Sequence, residues 1–549
     1  MSPGMLAMSQ PHHDLPSGQQ IDALTLRQWL GDGSEIALVD VRDGGPFSRS
    51  HLLVASNLPL SSLEVRAPAL LPRRDARIVL MDDEAADGLR LVDRAAALLA
   101  SHGYSNLSIL RGGVSGWGAA SFELFSGTNV PSKAFGEYVE HQCDTPRIDP
   151  QTLAAWQAEG RDIVLVDSRP LEEYRVVSLP GAADCPGAEL VMRVPGMIRS
   201  PTTTVVVNCA GRTRSIIGTQ SLRNAGLVNP VVALKNGTMG WELAGFKAER
   251  GRDNMAPEPQ GDALLAAKQL AQDVAHRYGV RFIDTAALRR MQSESARTTY
   301  VFDVRQPTEF AAGHLPGSLN APGGQLVQAT DTYAAIRGAR IVLIDRHQVQ
   351  AIMTAHWLLQ MGWKEVFVLR NGLDGELQSG ASKLAALGES ALNVPVIDAV
   401  ALSVALAKDE IVAIDVGESY SYRRARIPDS FYAMRSHLAQ ALARFATDTR
   451  LVLICGDGNI SRFAAADAIA IGYANCAVLS GGRAAWRAAG LATDTCRGDD
   501  DPKLLTSTDD MWYPPYTRSS KVEEAMQQYL TWEVNLLAQL EREPYLRFG

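Results

Sequence analysis

The chain has 549 residues, of which 46% are hydrophobic and 21% charged, and its net charge is −8 with a pI of about 5.8. This acidic balance argues against a nucleic-acid-binding protein, which usually presents a strongly basic face. No run of 18 apolar residues occurs and the first twenty residues are polar, so we expect no membrane span and no signal peptide, and we predict a cytoplasmic location.

The same order of predicted elements recurs four times along the chain. Each unit opens with Ile-Asp-x-x-x-Leu, which predicts a capped helix, and continues with an apolar strand that ends in aspartate. The helix starts are Ile21, Ile148, Ile283 and Ile397, and the strand-end aspartates are Asp40, Asp167, Asp303 and Asp415. Strands that alternate with helices at this spacing predict an α/β fold with open, mostly parallel sheets.

Four units of this size fit a chain that is too long for one hydrophobic core. We predict four tandem domains at residues 18–127, 143–252, 276–382 and 392–500, and a C-terminal helical tail at 501–549. Proline, glycine and charged residues predict linkers at 127–146, 250–275 and 380–395.

The four copies differ at the residue that follows the next apolar strand. This residue is Asp82, Cys209, Asp345 and Cys455 in chain order. A thiol can act as a nucleophile there, whereas the two aspartates have no thiol. We therefore predict that copies one and three are structural or binding units, and that Asp82 and Asp345 cap the following helix rather than act as general bases.

Motifs of the second and third copies resemble the signature of the rhodanese domain. The third copy has Asp303-Val304-Arg305-Gln306-Pro307 and Gly313-His314-Leu315-Pro316-Gly317, and the second has Asp167-Ser168-Arg169-Pro170 followed by Leu179-Pro180-Gly181. The strand, cysteine loop and helix of the second copy, and its glycine-rich turn ending in Trp241, complete the pattern. The resemblance implies a sulfurtransferase family whose cysteine carries sulfane sulfur as a persulfide.

The chemistry of Cys209 can also be argued from its predicted surroundings. A cysteine between a buried strand and a helix N-terminus faces backbone N–H groups and the positive end of the helix dipole, which favours the thiolate and can lower a thiol pKa from about 8.5 to between about 3.5 and 7.5. The thiolate would take sulfur from a donor and pass it to an acceptor in two displacements. The loop residues predicted to bind the sulfur donor are Ala210, Gly211, Arg212, Thr213, Arg214 and Ser215.

We expect the sulfur donor to be thiosulfate, a persulfide or mercaptopyruvate, and the acceptor to be a thiol or cyanide. No metal or organic cofactor is needed for this chemistry. The six cysteines show no CxxC motif and no even spacing, so they predict neither disulfide bonds nor a zinc site.

Two features of the cysteine loops leave questions open. The common family loop has glycine at the third position after cysteine, whereas here Gly211 is at the second position and Arg212 at the third. Cys455 has Gly458 at the third position and resembles the loop of mercaptopyruvate-type sulfurtransferases, but its loop lacks arginine and carries Asp457, which should oppose the thiolate. Cys209 is therefore the predicted catalytic residue and Cys455 a second candidate.

Other conspicuous residues have structural interpretations. Cys185 is expected to be a buried structural cysteine, with a resolving thiol as the alternative. Arg169 and Arg305 are expected to form internal ion pairs. The tryptophans expected to anchor packing are Trp117, Trp241 and Trp486.

Two other classes of function compete with sulfur transfer. One is a non-catalytic scaffold or persulfide sensor, which the two copies without cysteine favour. The other is a related phosphatase. Phosphatases of that kind have five residues between cysteine and arginine, but four separate Cys209 from Arg214 and six separate Cys455 from Arg462.

The C-terminal tail matches none of the repeats. Ser520-Lys521-Val522-Glu523 predicts a capping box, and Val522, Met526, Leu530, Val534, Leu537 and Leu540 continue at helical spacing to about Glu543. We expect the preceding aromatic segment 511–516 and this helix to dock on the chain's own domains or on a second subunit. A homodimer through the helix is a hypothesis.

Overall fold

The computed structural model describes residues 19–83, 90–382, 384–518 and 520–549. In these residues four mainly parallel sheets flanked by helices follow one another, so the predicted α/β fold of four tandem domains with a C-terminal helix is confirmed. The expectation of no signal peptide concerns the N-terminal residues, and residues 1–18 lie outside the described part of the chain.

The first sheet has the strand order β1-β5-β4-β2, with β3 beside β2. Its elements and the helix that follows are β1 (Gln19–Ile21), α1 (Ala23–Gly31), β2 (Ile36–Asp40), α2 (Gly44–Arg49), β3 (Ser56–Asn57), α3 (Leu63–Leu70), β4 (Ile78–Met81), α4 (Leu91–Ser101), β5 (Leu107–Leu110), α5 (Gly113–Ala119) and α6 (Val130–Cys143). A short 3₁₀ helix spans Leu60–Ser62.

The second sheet repeats this order as β6-β10-β9-β7-β8. Its elements are β6 (Arg147–Ile148), α7 (Pro150–Ala158), β7 (Ile163–Asp167), α8 (Leu171–Val176), β8 (Ala183–Asp184), α9 (Leu190–Arg193), β9 (Thr204–Asn208), α10 (Thr213–Asn224), β10 (Val231–Leu234) and α11 (Gly237–Leu243), with 3₁₀ helices at Gly187–Glu189 and Val194–Met197.

The third sheet has the order β11-β16-β15-β12-β13. The elements from the second linker onward are α12 (Gly261–Arg277), β11 (Arg281–Ile283), α13 (Thr285–Ser293), β12 (Thr299–Asp303), α14 (Pro307–Ala312), β13 (Leu319–Asn320), α15 (Gly323–Gln328), α16 (Thr330–Tyr333), β14 (Ile336–Arg337), β15 (Arg340–Ile344), α17 (Val349–Gln360) and β16 (Val366–Leu369).

The fourth sheet has the order β17-β21-β20-β18-β19. The remaining elements are β17 (Val396–Ile397), α18 (Ala399–Leu406), β18 (Val412–Asp415), α19 (Ser419–Arg424), β19 (Phe431–Tyr432), α20 (Leu438–Leu442), β20 (Leu451–Ile454), α21 (Asn459–Ala470), β21 (Cys476–Leu479), α22 (Gly482–Ala488) and α23 (Val522–Leu540), with 3₁₀ helices at Glu389–Ala391, Arg435–His437 and Pro515–Thr517.

Two of the predicted linkers contain helices. Helix α6 lies within 127–146 and α12 begins within 250–275, so these two connecting segments are largely helical. Pro131 stands in the first turn of α6, where proline is tolerated because the N–H it lacks has no partner within the helix. Phe135 and Val139 then bury the helix against the first three domains.

The first and third domains share a sheet. Strand β14, which belongs to the third repeat, pairs antiparallel with β2 of the first. The Tyr300 hydroxyl donates to the carbonyl of Leu70 at 2.6 Å, and the buried carboxylate of Glu35 accepts from the hydroxyl of Thr298 at 2.7 Å. The largest apolar cluster accordingly runs through the first three domains, and the fourth has its own core.

The C-terminal segment docks on the chain's own domains, as predicted. It passes the fourth domain, and the carbonyl of Asp510 accepts from the N–H of Gly44 in the first domain at 2.8 Å. Helix α23 then packs along α6, and its Leu536 and Leu540 join the core of the first domain. No described helix is long and apolar enough to cross a membrane.

Three details predicted for this helix are wrong. The N-cap is Lys521 in the left-handed conformation (φ 53°) without a side-chain cap, so the helix starts too late for Ser520 to form a capping box. The helix ends at Leu540 instead of Glu543. Val534 is 50% exposed, because the buried stripe runs through Met526, Leu530 and Leu540 and turns away from it.

Candidate active site

The thiol of Cys209 lies where the sequence pattern places it, between a buried strand and a helix. Strand β9 ends at Asn208, and α10 begins at Thr213. The three valines of β9 are fully buried, which fixes the strand in the middle of the sheet. The loop therefore emerges at the carboxyl end of a parallel sheet, where α/β proteins commonly bind ligands.

The sulfur of Cys209 is buried and has a hydroxyl partner. The thiol donates to Ser215 Oγ at 3.5 Å, and that hydroxyl donates to the carbonyl of Arg212 at 2.8 Å. Burial raises the pKa of the Cys209 thiol, while the charge of Arg214 and the hydrogen bonds from Ser215 act to lower it. The expectation that the loop lowers this pKa is wrong, because the loss of solvation outweighs the effect of the positive charge.

A glycine holds the loop from the other side. A Cβ atom on Gly237 would lie 2.3 Å from the carbonyl oxygen of Cys209, so only glycine allows the start of α11 to pack there. Gly482 stands in the same relation to Cys455, also at 2.3 Å. The glycine-rich turns noted in the sequence thus support the two cysteine loops.

The side chain of Arg212 is engaged by helix α6. Its guanidinium donates to both carboxylate oxygens of Glu137 at 2.7 Å and to Glu140 at 2.5 Å. Only 7% of the residue is exposed. These contacts join the loop to α6, and a role of Arg212 in binding the sulfur donor stays a prediction.

The side chain of Arg214 lies between the second and third domains. It forms a bidentate pair with Glu173 of α8 at 2.7 Å and donates to Gln325 of α15 at 3.1 Å. Its charge acts on the Cys209 thiol, as the direction of its effect on the thiol pKa shows. Glu137 and Glu140 were not identified from the sequence, because nothing in their spacing distinguishes them from surface carboxylates. Glu173 lies six residues after Asp167, as Glu309 does after Asp303, but that spacing did not reveal its pairing with Arg214.

The internal ion pairs expected from the sequence are confirmed. Arg169 pairs with Asp167 at 2.8 Å, and Arg305 pairs with Asp303 at 2.6 Å, with both arginines buried. In the fourth domain, which has no arginine at the corresponding position, Arg483 from the glycine-rich turn pairs with Asp415 at 2.6 Å.

The tryptophans are packing anchors, as predicted. The indole N–H groups donate to backbone carbonyls six residues further along the chain at 2.8–3.1 Å. These buried residues are Trp117, Trp241 and Trp486.

The sulfur of Cys455 has more hydrogen-bond donors than that of Cys209. The N–H groups of Gly458 and Ser461 donate to it at 3.2 and 3.4 Å. Burial raises the pKa of this thiol, the hydrogen bonds of Ser461 lower it, and the negative charge of Asp457 raises it, as the sequence indicated. Gly458 adopts φ +91°, the left-handed conformation that explains glycine at this position.

In the copies without cysteine, the carboxylates cap the following helix as predicted. Asp82 accepts from the N–H of Val92 at 2.9 Å, and Asp345 accepts from the N–H of Gln350 at 3.1 Å. Burial raises the pKa of Asp82 to about 6 and that of Asp345 to about 7. Each carboxyl group fills the place that sulfur takes in the other copies.

The remaining cysteines do not join either loop. Cys185 is fully buried in the apolar cluster that runs through the first three domains. Burial raises the pKa of its thiol well above the usual value, which confirms the interpretation as a buried structural cysteine. All six cysteines are free thiols. The described residues contain no cluster of three or more His, Cys, Asp or Glu side chains that could hold a metal ion.

Helix α23 covers the Cys209 loop. Ala210 packs against Met526 and Leu530, and the hydroxyl of Thr213 donates to the carboxylate of Glu533 at 3.2 Å. The tail thus reaches the predicted catalytic loop, which the sequence pattern could not show.

Comparison with known proteins agrees with this architecture. A family model described as the rhodanese-like domain matches residues 22–120, 149–244, 284–376 and 398–489. The chain belongs to the rhodanese family. The crystal structure of a thiosulfate sulfurtransferase from Pseudomonas aeruginosa is 43% identical, with a TM-score of 0.89 over 97% of this chain and 99% of that one. Among curated proteins, the thiosulfate sulfurtransferase GlpE of Pseudomonas savastanoi pv. phaseolicola is 32% identical over 84 residues, which are 15% of this chain and 79% of GlpE.

Proposed function

We propose that this four-domain rhodanese is a sulfurtransferase that moves sulfane sulfur from thiosulfate or a persulfide to a thiol or cyanide acceptor. Its similarity to two thiosulfate sulfurtransferases supports sulfur transfer in general terms. The observation that carries the proposal is the Cys209 loop, in which a thiol at a helix N-terminus lies within the field of Arg214.

The proposed reaction has two displacements. The thiolate of Cys209 attacks the outer sulfur of the donor, a new S–S bond forms, and the old bond breaks with its electron pair leaving on sulfite or on a thiolate. The acceptor thiolate or cyanide then attacks the outer sulfur of the Cys209 persulfide and releases the Cys209 thiolate. Because burial raises the pKa of the resting thiol, ionisation depends on Arg214 and the Ser215 hydrogen bonds.

Cys455 is a second candidate for the same chemistry. The two N–H groups that donate to its sulfur would stabilise the Cys455 thiolate. Asp457 opposes this effect, so we expect transfer through Cys455 to be slower with an anionic donor.

The experiment compares Cys209→Ala, Cys455→Ala and the double variant by intact mass and by thiosulfate-dependent transfer. We expect the wild-type chain to gain the mass of sulfur on thiosulfate treatment and Cys209→Ala to lose most of the transfer. Full activity in Cys209→Ala together with loss in Cys455→Ala would contradict the assignment.

The alternatives predict other outcomes. A scaffold or persulfide sensor would show no catalytic turnover with any sulfur donor. A phosphatase would hydrolyse a phosphate ester, an assay that the same preparation allows.

A further inference from the structure

The contact between α23 and the Cys209 loop is close at the loop backbone. A Cβ atom on Gly211 would lie 3.0 Å from Glu533 Oε2, 3.2 Å from Tyr529 and 3.7 Å from Leu530. Glu533 is 1% exposed, and among the described residues its Oε2 has no hydrogen-bond partner. Three side chains of the C-terminal helix therefore form one wall of the loop.

The unusual sequence of the loop matches this wall. Glycine stands at the second position because α23 leaves little space for a side chain at Gly211. Arginine can stand at the third position because Arg212 adopts φ −123°, whereas Gly458 at the same place has φ +91°. The Arg212 side chain then binds Glu137 on α6, the helix along which α23 packs. The Cys209 loop, α6 and α23 therefore pack against one another, and the loop sequence matches both helices.

A buried lysine supports α23 from the same side. The ammonium group of Lys133 on α6 lies 4.8–5.3 Å from the ring centres of Trp512, Tyr529 and Trp532. Cation–π attraction of this kind is strongest when, as here, the cation is shielded from water. The aromatic segment and the helix are thus held over the loop together.

In the part of the chain that the structure describes, no such wall covers the Cys455 loop. Both cysteines are buried, at 1% exposed for Cys455 and 2% for Cys209, so the two sites differ in what covers the loop. Gly456, Asp457 and Asn459 are exposed, and a Cβ atom on Gly456 would meet no described atom within 4 Å. Beside this loop lies a cavity of about 570 Å³, which Ile460 and Gly417 line. Gly417 is a close neighbour of the thiol residue, since its Cβ position is 3.3 Å from Cys455 Cα.

We propose that Tyr529, Leu530 and Glu533 of the C-terminal helix are specificity-determining residues of the Cys209 site, which they restrict to small sulfane donors of the thiosulfate class. The uncovered Cys455 loop leaves room for larger organic persulfides to approach its thiol. This division rests on the proposed function, but the access that underlies it can be measured without any sulfur transfer.

The access test uses two neutral reagents with the same reactive group, iodoacetamide and a pyrene-linked iodoacetamide. Peptide mass spectrometry gives the labelling rates of Cys209 and Cys455 in the same molecule, so Cys455 is an internal control. We expect the ratio of the Cys209 rate to the Cys455 rate to fall several-fold from the small reagent to the large one. A ratio that is equal for both reagents would overturn the proposal.

Matched variants on the same helix assign the effect to the wall. Leu530→Ala should raise the Cys209 ratio for the large reagent, and Leu530→Val, a smaller truncation, should move it in the same direction. Val534→Ala, on the exposed face of α23, should leave the ratio unchanged. If both Leu530 variants fold and keep the wild-type ratio, the wall does not control access.

The consequence for sulfur transfer is tested in a Cys455→Ser background with thiosulfate and with glutathione persulfide. Leu530→Ala should lower KM for glutathione persulfide and change KM for thiosulfate little. An equal change for both would overturn the size restriction. If Cys209 transfers no sulfur at all while the labelling ratios behave as expected, the proposed function fails and the assignment of the wall stands.

Discussion

At the scale of single residues, the two arginines of the Cys209 loop have different surroundings. Arg212 is bound by two carboxylates of α6, and Arg214 by Glu173 and Gln325 at the boundary of the third domain. Of the two arginines, Arg214 acts through its charge to lower the pKa of the Cys209 thiol, against the effect of burial. We infer that Arg214 attracts the anionic sulfur donor and that Arg212 holds the loop on α6.

This difference predicts separate effects of neutralising each arginine. Arg214→Gln should raise KM for thiosulfate roughly 10- to 100-fold, since a hydrogen bond to a charged group contributes about 1.5–3 kcal/mol. Arg212→Gln should mainly lower stability, because it leaves Glu137 buried without its cation. Steady-state kinetics and thermal unfolding of both variants check this, with Arg214→Lys as the control that keeps the charge. Unchanged KM in both glutamine variants would contradict a role for either arginine in binding the donor.

Asp184 of the second domain lacks the hydrogen bonds that asparagine makes at the same position of the first and third domains. Asp184 pairs in register with Asp167, as Asn57 does with Asp40 and Asn320 with Asp303. The asparagine amides donate to two backbone carbonyls, whereas neither carboxyl oxygen of Asp184 has a partner among the described residues. Burial raises the pKa of Asp184 to about 8.

Asp184→Asn should therefore stabilise the protein. The folded chain keeps a proton on Asp184 that the unfolded chain loses above roughly pH 4, so wild-type stability falls between about pH 4 and 8. The asparagine removes this dependence and can make the missing hydrogen bonds, for a gain of about 1–3 kcal/mol. Thermal unfolding should show a larger gain at pH 8 than at pH 5. A gain that is equal at both pH values, or a loss, would contradict this account.

At the scale of elements, the same strand-loop-helix unit serves two purposes. Where the loop residue is Asp82 or Asp345, its carboxyl group accepts from the first turn of the next helix. Where it is Cys455, the helix N–H groups donate to sulfur instead. The N–H groups of the first turn donate to a carboxyl oxygen or to sulfur, so either residue satisfies the start of the helix. This explains how two copies can keep the architecture without a thiol.

At the scale of the whole molecule, the C-terminal segment joins domains that are far apart in sequence. Asp509 pairs with Arg49 of the first domain at 2.7 Å, and Asp510 accepts from Ser419 of the fourth at 2.9 Å. The N–H of Gly549 donates to the carbonyl of Gln360 in the third at 2.9 Å. The segment thus contacts all four domains, since α23 also covers the second.

Deletion of residues 505–549 should therefore lower the melting temperature and expose the Cys209 loop. The cause is loss of the apolar contacts that Leu536 and Leu540 make in the first domain, where a buried leucine contributes about 1.5–3 kcal/mol. Calorimetry and the solution mass of the full-length and truncated proteins check this. An unchanged melting temperature would show that the segment is dispensable, and the mass tests the hypothesis of a dimer through α23.

Much of the fold and of the candidate site could be predicted from the sequence because the determining interactions are local. The strand-end aspartates and the thiol loop depend on residues within one repeat, and the spacing of these residues repeats four times. The predicted side-chain caps form at Asp22, Asp284 and Asp398, and the prediction is wrong for Asp149, which is the N-cap residue but makes no side-chain hydrogen bond to the helix. The capping at Asp284 and the ion pair of Arg305 with Asp303 span three residues or fewer. Interactions between residues so close in sequence can be predicted from residue spacing alone.

What only the tertiary structure decided involves residues that are far apart in sequence. The pairing of Arg212 with Glu137 joins residues 75 positions apart, and the contact of Thr213 with Glu533 joins residues 320 apart. Strand β14 looks like part of the third repeat and completes the first sheet. A buried charge must be paired, and its partner can come from any part of the chain that the fold brings near. The repeat pattern does not indicate which residue that partner is. The sequence by itself thus determined the repeated domains and the two thiol loops, and the packing of α6 and α23 decided which loop is covered.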